Sequence, residues 1–212
     1  MDFDFSHLLI VLLVILISMV LHELMHGAVA FWLGDDTAKD EGRLTLNPIK
    51  HLDPFMSILL PMILAISGGP IFGGAKPVPI NTRSLRFGEW GFALVAIAGP
   101  MTNLLLAFVG FVVGHVTGVI YVDMGFWTDF MTTFVLVNLG FCIFNLIPIP
   151  PLDGSRVLYA IMPDFARRIM EEMERWGIMI VLILVMVFGK VLGGFMMGAM
   201  SWILNAFEWI VW

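Results

Sequence analysis

Residues 8–33 read LLIVLLVILISMVLHELMHGAVAFWL, an apolar run interrupted only by Ser18, His22, Glu23, His26 and Gly27. As a helix rising 1.5 Å per residue it reaches about 38 Å, enough to cross a hydrocarbon core about 30 Å thick with some tilt. His22 lies about 21 Å along it from Leu8, and His26 about 12 Å before Gly34. Ionisable groups at that depth cost a few kcal/mol each and mark function. His22-Glu23-Leu24-Met25-His26 has the H-E-x-x-H form. Residues i and i+4 share a helix face, so both imidazoles can reach one zinc ion while the glutamate between them serves as a base. The plainer alternative is a polar cluster that joins helices, which would need neither this spacing nor the glutamate.

Composition extends the same reading outward. Of 212 residues, 59% are hydrophobic and 13% charged, against about 25% charged in a soluble domain. No single small core can bury that much apolar surface, and no polar stretch is long enough to fold alone. The expectation is one integral membrane domain over 1–212, all-α and polytopic, with about four to six transmembrane helices. Lys and Arg are scattered, which excludes a nucleic-acid-binding patch. Cys142 is the single cysteine, so the chain forms no internal disulfide and holds no paired thiol site. Asp2 and Asp4 stand where a signal peptide would be basic, and no small-residue cleavage site follows. The first run is therefore kept as a helix.

Further spans are expected at about 90–114, 127–147 and 177–200. The tail after Gly193-Gly194, with Trp202, Trp209 and Trp212, suggests a crossing followed by an interfacial or second helix. Residues 55–72 are short, contain Pro61 and run into Gly68-Gly69-Pro70, the signature of a re-entrant segment. Charge placement agrees. Lys39, Arg43 and Lys50 precede this segment, Lys76, Arg83 and Arg86 follow it, and Arg156, Arg167, Arg168 and Arg175 lie between the third span and the last. By the positive-inside rule all three basic stretches are cytoplasmic and the N-terminus is outside. Labelling Lys39 and Arg83 from opposite faces would overturn that topology. Two short strands are expected beside the re-entrant segment, at 43–47 and 76–81. Pro77 and Pro79 leave one edge of the second without donors, while the Val78/Ile80 edge can pair.

A catalytic zinc ion takes three protein ligands and keeps one position open. On the cytoplasmic side the third ligand could be His51, Asp53, Asp153, Asp40 or Glu41; His115 lies at the opposite face. The third span runs parallel to the first and delivers Asp153, which makes it the best of several. The plainer reading is that Asp153-Gly154 is a turn or a helix cap.

The ordered set His22-Glu23-x-x-His26, Ala98-Gly99-Pro100-x-x-Asn103 and Asn145-x-x-Pro148-x-Pro150-x-x-Asp153-Gly154 resembles the site-2 protease family of intramembrane zinc metalloproteases. The likeness covers nearly the whole chain, including Gly42-Arg43-Leu44, Asn47-Pro48 and Ala75-Lys76-Pro77-Val78-Pro79. It implies that His22, His26 and Asp153 hold one Zn2+ ion, that Glu23 is the catalytic base, and that Asn145 holds substrate or the oxyanion. It implies hydrolysis of peptide bonds in the transmembrane segments of membrane proteins, in a prokaryotic cell membrane, by a form without PDZ or CBS domains. The site then lies nearer the cytoplasm. A substrate helix must unwind to expose a carbonyl, and the Val78/Ile80 edge could capture it by strand addition.

Two plainer assignments stand beside these. Asn145 could be a helix-end contact before Pro148, and Asn103 a packing residue where Gly99-Pro100 breaks the helix. The competing function is a membrane zinc protein that does not hydrolyse. A transporter would need polar groups through the outer half, where the second span offers only Thr102 and Asn103 before His115 and the third only Asn138. A non-catalytic binder would not need Glu23.

Overall fold

The structure is a computed structural model that describes residues 5–54, 59 and 74–211. The expected re-entrant segment at 55–72 lies outside the described residues, Leu59 excepted. Among the described residues seven α-helices follow in order: α1 (Phe5–Trp32), α2 (Thr37–Asp40), α3 (Glu89–Val116), α4 (Phe126–Asn145), α5 (Asp153–Ile161), α6 (Asp164–Arg175) and α7 (Gly177–Val211). Four of them, α1, α3, α4 and α7, are long and apolar enough to cross a membrane.

Helix α1 ends where its apolar run ends. Gly34 adopts φ +104°, a left-handed stop that costs glycine little. Buried Asp35 then accepts from the N–H and hydroxyl of Thr37 (3.0 and 2.5 Å) and from the N–H of Asn81 (2.6 Å). The chain reverses into α3, which runs antiparallel to α1: His26 meets Val95 and His22 meets Asn103. Helix α4 is parallel to α1. At one end His7 meets Asp129 at 2.9 Å; at the other, Asp153, beyond the end of α4, meets His22. Ala107, Phe111, Val135, Leu139 and Ile143 form the apolar core of α3 and α4, and Phe207 of α7 closes it.

Two expectations about helices change. Helix α3 runs unbroken through Pro100. A proline costs a helix one hydrogen bond and a local clash, and the 28-residue length and close packing of α3 absorb both. Helix α7 is one continuous 35-residue helix, uninterrupted at Gly193-Gly194. In lipid every backbone group must be satisfied internally, which favours continuing the helix over a glycine break.

The expected β element also takes another form: no strand occurs among the described residues. Residues 43–47 turn into a 3-10 turn at Pro48–Lys50 that the Asn47 side chain caps. One backbone bond joins the two segments' surroundings, Lys76 N–H to the His51 carbonyl at 2.8 Å. Prolines 77 and 79 then remove the donors a ladder would need. Buried Arg43 substitutes, donating to the carbonyls of Lys76 (2.6 Å) and Pro77 (3.2 Å). Residues 75–81 thus form a strap fastened by Arg43 at one end and Asp35 at the other.

Outside the spans, Arg156 pairs with Glu174 across α5 and α6. Tyr159 donates to Glu171 at 2.6 Å, and that bond pushes its phenol up to about 12.

Candidate metal centre

Helical spacing stacks His22 and His26 on the face of α1 that meets α3. Each imidazole is engaged on its far side. His26 Nδ1 lies 2.7 Å from the Val95 carbonyl, which can only accept, so that nitrogen carries the proton. His22 Nδ1 lies 2.5 Å from Asn103 Oδ1. Both Nε2 atoms therefore turn inward, 2.9 Å apart.

Asp153 comes to the same point from the other side of the bundle. It is the first residue of α5. Its Oδ2 lies 3.2 Å from His22 Nε2 and 3.4 Å from His26 Nε2. One ligand atom from each residue falls within 4.8 Å of the others. Two lone pairs and an anion converging in a buried place repel one another unless a cation stands between them. The donor set, two imidazoles and one carboxylate, fits a catalytic zinc site.

Two glycines make room for this. A Cβ on Gly99 would stand 2.5 Å from His26 Nε2 and 2.6 Å from His22 Nε2, so α3 can pass the imidazoles only without a side chain there. A Cβ on Gly154 would stand 2.2 Å from the Leu146 carbonyl oxygen. Glycine after Asp153 lets the turn beyond α4 fold back tightly enough to deliver the carboxylate.

Glu23 sits one residue beyond His22, and its Oε2 accepts from the Val78 N–H at 3.1 Å. The strap therefore crosses the site, with its midpoint on the glutamate. Asn145, the last residue of α4, donates to the Phe141 carbonyl at 3.0 Å.

Of the five alternatives for third ligand, only Asp153 joins the cluster among the described residues. His51 is fully buried, but its Nε2 lies 2.8 Å from the Thr45 carbonyl, so it braces the loop that carries Arg43. Asn103, expected to be packing, is a direct partner of His22. Its position in the middle of an apolar span is the signal that could have found it.

A family model described as Peptidase family M50 matches residues 113–188. The candidate zinc metalloprotease YwhC of Bacillus subtilis is 39% identical over 175 residues, covering 80% of this chain and 77% of that protein. The chain belongs to peptidase family M50. This is the site-2 protease family that the motifs resemble, and the chain is accordingly an integral membrane metallopeptidase. Two further relatives are similar: the candidate zinc metalloprotease Rip2 of Mycolicibacterium smegmatis, 31% identical over 80% of this chain and 63% of its own length, and MJ0611 of Methanocaldococcus jannaschii, also named a candidate zinc metalloprotease, 30% identical over 74% of this chain and 76% of its own. No solved structure matches this M50 chain.

Proposed function

We propose that this M50 peptidase cleaves peptide bonds within transmembrane segments, using one zinc ion held by His22, His26 and Asp153. The observation that carries this reading is the convergence of those three groups, with Glu23 beside them, midway along an apolar helix. Zinc supplies Lewis acidity there, acidifying water and polarising a carbonyl. Glu23 supplies the proton chemistry. Its Oε2 is held by the Val78 N–H, which leaves Oε1 to take a proton from the attacking water. As the carbon–nitrogen bond breaks, Glu23 returns that proton to the departing nitrogen. Asn145 has a second amide hydrogen beyond the one given to Phe141, and donates it to the oxyanion of the tetrahedral intermediate.

The buried setting selects the substrate. A transmembrane helix must unwind locally before a carbonyl can enter, and the unwound stretch pairs with the strap at Ile80, beside Val78, whose own N–H is held by Glu23. The basic residues on the loops nearest the site orient that end toward the cytoplasm, with the N-terminus outside.

Purified protein with substrate in lipid tests the reading. Wild type should bind one zinc ion per chain and cleave. Glu23→Gln should retain zinc and lose activity by about 10³-fold, within the range for removal of a general base. Undiminished cleavage by the variant would refute it.

A further inference from the structure

Two fully buried amides lie behind the metal cluster: Asn103 of α3, whose contact with His22 is described above, and Asn138 of α4, which nothing described so far uses. The bonds joining them run in one fixed direction. The Phe134 carbonyl can only accept, and Asn138 Nδ2 donates to it at 2.8 Å. That turns Asn138 Oδ1 toward α3, where it accepts from Asn103 Nδ2 at 2.8 Å. The second hydrogen on Asn103 Nδ2 points at the Ser18 carbonyl of α1, 3.4 Å away, again an obligate acceptor. Asn103 Oδ1 is therefore an acceptor, and its partner at 2.5 Å is His22 Nδ1. His22 must carry its proton on Nδ1, which leaves the Nε2 lone pair facing His26 and Asp153.

We propose that Asn138 is a positioning residue for the metal centre, setting the tautomer and ring orientation of His22 through Asn103. The inference rests on the zinc-ligand reading of His22. Its physical basis is that neither amide can flip alone. A flipped Asn138 would set its amino group against that of Asn103 and its oxygen against the Phe134 carbonyl. Both clashes would be buried among helices, where water cannot relieve them. The backbone of α4 thus dictates which nitrogen of a residue on α1 faces the metal. Partners that orient a ligating histidine typically change metal affinity by about 10–100-fold when removed; one step further back, the effect should be about threefold to tenfold.

The test uses the full chain, zinc-loaded in detergent. Two readouts are competition with a chromogenic chelator and the imidazole N–H signals of protein carrying nitrogen-15 histidine. Wild type should show His22 protonated on Nδ1; an Nε2–H signal for His22 would overturn the proposal without any variant. Asn138→Leu, similar in volume but with no acceptor, should weaken zinc binding about threefold to tenfold and lose the protected Nδ1–H signal. Asn138→Asp, held neutral by burial so that its hydroxyl donates to the Phe134 carbonyl, keeps an acceptor oxygen toward Asn103 and should retain the wild-type Nδ1–H signal and affinity. Unchanged affinity and signal in Asn138→Leu, or equal damage in both variants, would overturn it. If instead His22→Ala binds zinc as wild type does, the ligand reading itself falls, which is a different result.

Discussion

Helices α1 and α7 are both strongly apolar, yet in their most apolar 18-residue windows 28% of α1 is buried and only 6% of α7. Hydropathy does not separate them, because lipid tails are as apolar as leucine and give one helix little reason to pack on another. Polar groups make the difference. Helix α1 carries Ser18, His22, Glu23 and His26, and three of these side chains bond to the strap or to other helices. Helix α7 carries Lys190, Ser201, Asn205 and Glu208 along a series of glycines, yet none lies deep in the bundle: of its residues only Gly177, Val181 and Phe207 are buried. In this protein polar contact assembles the bundle around the site, and apolar length alone leaves a helix at the periphery.

That contrast can be broken in order of expected effect. Gly99→Ala should be the most damaging, because the new methyl meets the imidazoles of both His22 and His26. Zinc affinity should fall by at least tenfold and cleavage with it; full zinc content at wild-type affinity would mean that α3 can retreat without cost. Ile80→Pro acts one layer away, on the strap. It removes a backbone donor where an unwound substrate would pair, so cleavage should fall about tenfold with zinc unchanged. Wild-type activity would argue against capture of substrate there. Gly193→Leu should do least. A Cβ at Gly193 meets nothing within 4 Å, so thermal stability and cleavage should stay within about 0.5 kcal/mol of wild type. A large loss would reveal a packing partner on that face of α7.

Much of the bundle and its metal centre is legible in the sequence. The H-E-x-x-H spacing places two imidazoles on one face, and the spans expected at 90–114 and 127–147 match α3 and α4 closely. Asp153 is the best of several candidates on chain direction alone, and the fold brings it to the histidines. The expected strands are less accurate. Alternation at 43–47 says which side chains differ in polarity, but not that Arg43 turns inward to serve two carbonyls. Asn103 and Asn138 are visible as polar residues in apolar spans. Their direction of donation is not, since it depends on which carbonyl each amide meets.

The sequence by itself determined the membrane class, the shared face of His22 and His26 on α1 and the parallel return that carries Asp153, because these follow from length, period and residue type. Only the tertiary structure decided that residues 75–81 fasten across the site with Val78 against Glu23, that Gly99 is the gap through which α3 passes the imidazoles, and that an amide on α4 orients a histidine on α1. Each of these depends on a contact between segments far apart in the chain, and periodicity along one segment says nothing about what another brings to meet it.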